Sequence, residues 1–305
     1  MHVVLSILHV LLALALAPLM LGVINRVKAK FGGRCGRPLL QAYYDLAKLA
    51  RKGAVYSRTT SWVFRAGPVI GLAVAASALC LMPFAGVPAL VAFPGDLVLL
   101  AYLFALGRFA TMAAALDTGS AFEGMGASRE GAFSAQAEPA LFLGLAALAL
   151  HAHAFSLSGI YAGLAWSPTT LPPLLMIVAA FFVTLLVENS RIPFDDPETH
   201  LELTMIHEVM VLDHSGPDFA MIQYGAAVKL WVMSALVTNL IAPAVFPHYG
   251  ANLALALAGQ FVVAVAVGVV ESIMARLRLV RVPQMLTGSA ILSLLAVFLF
   301  LRTLA

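Results

Sequence analysis

Residues 171–218 read LPPLLMIVAAFFVTLLVENSRIPFDDPETHLELTMIHEVMVLDHSGPD, an apolar run that stops on Glu188 and gives way to an acidic segment. Glu188, Asp195, Asp196, Glu198, Glu202, Glu208, Asp213 and Asp218 are eight of the fifteen carboxylates in the chain. A second apolar run long enough to cross a bilayer follows directly. Carboxylates at a membrane boundary are costly unless water, protons or a partner protein offsets the cost. The function is therefore expected at this junction.

Outward from it, the composition gives the class. The chain is 62% hydrophobic and 11% charged, with a mean hydropathy of +0.96, against the roughly 25% charged residues of soluble domains. An all-α polytopic membrane protein is expected, one transmembrane domain over residues 1–305. A hydrocarbon core needs about 20 apolar residues per helix, and such windows fall at 3–24, 66–85, 95–116, 138–156, 171–188, 221–246, 251–271 and 284–303. The first has no cleavage site and reads as a retained span. Cys35 and Cys80 form no metal or disulfide pattern. The charge of +3 is no nucleic-acid signature.

The connections alternate in character. The first carries ten of the eighteen Lys and Arg, the third Asp117, Glu123, Arg129 and Glu130, the fifth the acidic segment, and the seventh Arg276, Arg278 and Arg281. The second, fourth and sixth hold a single charge, Asp96. The positive-inside rule makes the odd connections cytoplasmic and puts both termini outside. Residues 38–52 line Leu39, Leu40, Tyr43, Leu46, Ala47 and Ala50 along one side of a helix, with Gln41, Asp45, Lys48 and Lys52 on the other. Too short to span, this is expected to lie in the cytoplasmic interface. In the docking loop, 188–220, Asp196-Pro197 reads as an N-cap with Pro in the first turn, and Glu198 and Glu202 then share a face.

Ionisable residues inside spans carry the rest. Arg108 lies mid-span, Lys229 about two turns into the sixth helix, and Glu138, Glu188 and Glu271 at helix ends. Each carboxylate has a plain alternative as an interface marker, whereas Arg108 and Lys229 are expected to pair inside the bundle. A file of carboxylates running inward is what proton conduction requires, because like charges and desolvation move pKa values toward neutrality. A solvated acidic face is the ordinary alternative, but the interleaved Leu201, Leu203, Met205, Ile206, Val209 and Met210 argue against it. His207-Glu208 lacks the second His of a zinc-protease helix. The chain also has no phosphate-binding glycine loop and no iron–sulfur spacing, so no cofactor is expected in it.

The run Glu188-Asn-Ser-Arg-Ile-Pro-Phe-Asp-Asp-Pro-Glu resembles the fifth loop of the complex I subunit 1 family, the membrane subunits that anchor the peripheral arm. The basic Phe31-Gly-Gly-Arg loop, Glu138 and the Arg-rich seventh connection extend the resemblance over nearly the whole chain. The Asp195-Asp196 pair and the ending from Thr199 to Gly216 are similar to the energy-converting membrane-bound [NiFe] hydrogenase branch, of the formate hydrogenlyase or hydrogenase-4 kind. That resemblance implies a non-redox anchor of an oxidoreductase complex in a bacterial or archaeal cytoplasmic membrane. Its implied partners are the hydrogenase large and small subunits, an Fe-S subunit and antiporter-like membrane subunits; the [NiFe] centre and Fe-S clusters would sit in those partners. It also implies a proton path through Glu123, Glu138, Glu188, Glu202 and Glu208, and an arm interface at Arg191, Pro193, Phe194, Asp195, Asp196 and Glu198. The alternatives are a quinone-binding complex I subunit and a stand-alone transporter, the latter leaving the motif-rich loop unexplained.

Overall fold

In the computed structural model, which describes residues 2–164, 166–195 and 205–304, eight helices are long and apolar enough to cross a membrane. They are α1 (His2–Phe31), α3 (Trp62–Cys80), α4 (Asp96–Asp117), α5 (Ala121–Ala152), α7 (Leu171–Glu188), α9 (Gly216–Ile241), α10 (Tyr249–Ile273) and α11 (Val282–Leu304). Three short helices join them: α2 (Gln41–Ala50), α6 (Leu157–Ala162) and α8 (His207–Met210). The chain is thus a multi-pass membrane protein, with all eight expected spans present. Among the described residues there is no strand, only an isolated bridge between Phe84 and Val87.

The centre of the bundle is α9, which touches α1, α2, α3, α7 and α10. Residues Leu230–Leu240 are buried without a break, as expected for a helix that is apolar on all sides. Helix α1 packs through a stripe at helical spacing, Ser6, His9, Ala13, Ala17, Met20 and Ile24. Small residues set the closest approaches. A Cβ on Gly22 would lie 2.1 Å from the Leu39 carbonyl oxygen, so only glycine lets α1 meet the turn that opens α2. Gly216 has φ +55°, and a Cβ there would lie 2.6 Å from the Gly53 oxygen, which locks residues 52–55 against the start of α9.

One connection departs from the sequence expectation. Hydropathy places a third loop between Asp117 and Glu138, but only residues 118–120 join α4 to α5. Hydropathy reports depth in a membrane and is blind to helicity, so the polar first half of α5 escapes it. Its 32 residues span about 48 Å at 1.5 Å each, longer than the ~30 Å hydrocarbon core. The surplus packs against 205–210. A Cβ on Gly126 would meet Val209 Cγ1 at 2.3 Å, and the Arg129 guanidinium donates to the Met205 carbonyl at 2.9 Å. Helix α9 likewise begins at Gly216, five residues earlier than expected, so Lys229 is at mid-helix.

Candidate functional site

The ionisable residues expected inside the spans converge around Glu188, at the last turn of α7. Arg108 of α4 donates to Glu188 and to Glu138 of α5, and Lys229 Nζ of α9 lies 2.8 Å from Glu188 Oε2. Four helices contribute to one chain of ion pairs. The Glu188 side chain is 3% exposed and that of Arg108 6%, while Glu138 is 39% exposed. Removing charges this deep from water is costly, and that cost is offset only where each is paired and bonded. Glu138 is not at a helix start, since α5 begins seventeen residues earlier; it is an interior residue aimed at Arg108.

Glu271 has separate partners. Lys28 Nζ lies 3.1 Å from its Oε2 and Arg191 3.4 Å from its Oε1, joining α1, α10 and the start of the acidic segment. Of the residues expected at the arm interface, Arg191, Phe194 and Asp195 face inward. Phe194 is 3% exposed and packs in the main core. Asp195 accepts from the Ile206 and His207 amides at 3.2 and 2.9 Å and from Arg276 at 2.8 Å. The Pro193 carbonyl accepts from the Leu277 amide at 2.8 Å. These residues hold both ends of the acidic segment on the bundle. Asp196, Glu198 and Glu202, with the helix start read at Asp196-Pro197, lie outside the described residues.

Glu123, 1% exposed, accepts from the Asp213 amide at 3.3 Å and ties the overhang of α5 to the loop before α9. A second tie is aromatic: the His214 ring stacks on Phe64 at 3.9 Å and 9°. Burial holds the His214 pKa below the usual histidine value, against the opposing pull of Asp218 and Asp213. Ser215 Oγ accepts from the Val55 amide at 3.0 Å.

Arg108, Glu188, Lys229, Arg191, Asp195 and His214 all border one cavity of about 360 Å³, within the range of small-molecule sites. Arg108, Glu130, Glu188, Lys229, His207 and Glu208 are its charged lining; Gln41, Ala42 and Asp45 of α2 also line it. Helix α2 thus gives Gln41 and Asp45, bonded to each other at 2.8 Å, to the cavity. The pKa of His207 is pushed down by burial first and by Lys229 second, with Asp195 opposing, so this ring is held neutral beside the cluster. Sequence reasoning does not pick out Glu130, His207, Lys28 or Arg276 as site residues. Glu130 lies seven residues after Glu123 and Lys28 four after Ile24, so helical spacing is a signal that could find both. Arg276 lies in an extended segment where no periodicity operates.

A family model described as NADH dehydrogenase matches residues 3–302. The chain is 32% identical over 295 residues to formate hydrogenlyase subunit 4 of Escherichia coli K12, covering 93% of this chain and 94% of that protein. It is 34% identical over 250 residues to hydrogenase-4 component C of the same organism, covering 79% and 76%. It is also 34% identical over 212 residues to an NADH-quinone oxidoreductase subunit of Rubrobacter xylanophilus, covering 67% and 62%. A solved membrane-bound sulfane sulfur reductase, described as an archaeal respiratory membrane complex, contains a chain of the same fold. The TM-score is 0.84 at 22% identity, with 98% of this chain and 100% of that one covered.

Proposed function

The chain belongs to the NADH dehydrogenase family, and from that premise we propose that it is the membrane anchor and proton-coupling subunit of an energy-converting [NiFe] hydrogenase complex. The observation that carries this reading is the ion-pair chain Glu138–Arg108–Glu188–Lys229, whose Arg108 and Glu188 are buried in the bundle and, with Lys229, border a cavity that reaches residues 207–214. Moving one proton onto Glu188 would leave Arg108 and Lys229 in surplus, so a redox step in a docked partner could be felt as charge at this point. The hydrogenase-type relatives support that partner. Fe-S and [NiFe] centres would sit in the arm, docked on the face that carries the acidic segment, α8 and the overhang of α5. The charged connections support an orientation with the cavity side cytoplasmic and both termini outside.

Purification through a tag on this chain tests it: hydrogenase large and small subunits and nickel are expected to co-purify. Glu188→Gln is expected to retain the arm but lower hydrogen-linked proton movement at least tenfold. A preparation without nickel or hydrogenase subunits refutes the reading.

A second reading is favoured by one observation, the cavity lining that α2 shares with α1 and α9. A subunit of the NADH-quinone oxidoreductase kind would admit quinone there. Quinone reduction by the purified complex, sensitive to substitutions in residues 38–52, would select it.

A further inference from the structure

Helix α2 is engaged on two sides and open on a third. Tyr43 turns to α1, where its hydroxyl donates to the Ala15 carbonyl, and Gln41, Ala42 and Asp45 line the cavity. The remaining side carries Leu40, Tyr44, Lys48 and Arg51, at helical spacing and so aligned in one stripe. All four are exposed, Leu40 by 49% and Tyr44 by 61%. The stripe is sorted along its length, apolar in the first turn and cationic in the last.

The placement of α2 matches that sorting to the layers of a bilayer. Its entry is fixed where the Leu39 carbonyl meets Gly22, about 30 Å along α1 from His2. That is the thickness of a hydrocarbon core, so the first turn of α2 sits at the hydrocarbon edge. Past the other end of α2, Gly53 packs on Gly216, where α9 starts on the face at which α1 ends. Helix α2 thus runs from the hydrocarbon edge to the start of α9, with Leu40 and Tyr44 at acyl level and Lys48 and Arg51 at headgroup level.

The cationic end is not neutralised from within. Asp45 is the single carboxylate between residues 26 and 65, and it accepts from Gln41 at 2.8 Å on the cavity side. Among the described residues Lys48, Arg51 and the adjoining Lys52 form no ion pair. Membrane topology alone is served by Lys and Arg anywhere in a connection; it does not call for their alignment with exposed apolar residues. A soluble partner would leave Leu40 and Tyr44 at the wrong level. Helix α2 packs on α1 and α9, whereas α8, on the acidic side of the cavity, packs on α4 and α5.

We propose that this stripe binds an anionic phospholipid, its acyl chains along Leu40 and Tyr44 and its phosphate between Lys48 and Arg51. Each cation near an anionic membrane surface is worth about fivefold in binding, and apolar contact adds to it. Because Gln41 and Asp45 of the same helix line the cavity, the lipid also braces one cavity wall from outside. The inference rests on neither the hydrogenase reading nor the orientation.

A photo-crosslinking side chain at position 44, Tyr44→benzoylphenylalanine, reads the occupant directly. The intact complex carrying it is placed in nanodiscs of equal phosphatidylglycerol and phosphatidylcholine, illuminated, and the adducts are identified by mass spectrometry. Phosphatidylglycerol is expected to be captured over phosphatidylcholine at least fivefold, and less so at high salt, because exposed charges are screened. Lys48→Gln/Arg51→Gln is expected to bring that ratio down to near one. Arg58→Gln, which removes a cation of the same connection outside the stripe, is expected to leave it within twofold. Should the variant at 44 not assemble, Leu40→benzoylphenylalanine takes its place. Equal capture of both lipids, or capture of a protein in place of lipid, overturns the proposal. So does a ratio that Lys48→Gln/Arg51→Gln leaves unchanged, or that Arg58→Gln lowers as much.

Discussion

Glu188 receives Arg108 and Lys229 at once, and the two cations are not equivalent. Arg108 also holds Glu138, whereas among the described residues Lys229 has one carboxylate. Lys229→Met leaves Glu188 with half of its compensation in a site from which water is largely excluded. Breaking a buried pair by removing one partner costs about 3–5 kcal/mol. The lower end is expected here because Arg108 stays in place. Lys229→Met/Glu188→Gln is expected to lose less than the sum of the single variants, by about 1 kcal/mol or more, the coupling of groups in direct contact. Thermal unfolding of the four proteins in detergent checks it; strict additivity would mean that the contact carries no energy. The phenyl ring of Phe104, 5.7 Å from Lys229 Nζ, remains beside position 229 in every variant and does not obscure the comparison.

At the scale of elements, the short pieces are fixed by particular contacts with the long ones. Helix α2 is fixed by Gly22 against the Leu39 carbonyl and by Tyr43, whose hydroxyl donates to Ala15. Residues 52–55 are fixed by the start of α9, and His214 stacked on Phe64 completes that clasp. Because burial lowers the His214 pKa in the folded protein, the neutral ring is favoured there more than in an opened chain. The stability this contributes is full above the ordinary histidine value and is lost as pH falls from that value toward the lowered one. Hydrogen exchange at residues 52–57, corrected for intrinsic rates, is therefore expected to speed up several-fold as pH drops below about 6.5. His214→Phe should remove that pH dependence while keeping the stack. A profile unchanged by the substitution would assign the effect to another group.

For the whole molecule, the eight spans are legible in the sequence because apolar windows and alternating loop charge are long-range signals. The motif around Pro193-Phe194-Asp195 is legible too, but its orientation is not. Sequence marks Asp195 as an acidic residue in a loop, and only the fold reveals that two amides and Arg276 already occupy it. Glu130 is hidden for the opposite reason: its polar neighbours look like a loop, yet it lies on a helix. The pairing of Arg108 with Glu188 joins residues eighty positions apart, a separation over which no local pattern operates. Orientation is a property of the whole chain and is open to direct measurement. An alkaline phosphatase reporter fused after residue 302 is expected to be active, and one fused after residue 276 inactive. The reverse pattern would invert the topology proposed above.

The clamp on Asp195 has an evolutionary consequence. It joins Asp195 to the Ile206 and His207 amides, so the residues flanking that part of the acidic segment are fixed points on the bundle. Sequence change between those points need not move Glu188, which Arg108 and Lys229 hold separately. One membrane chassis could in that way accept different redox arms over time, with the interchangeable part confined to a single short cassette.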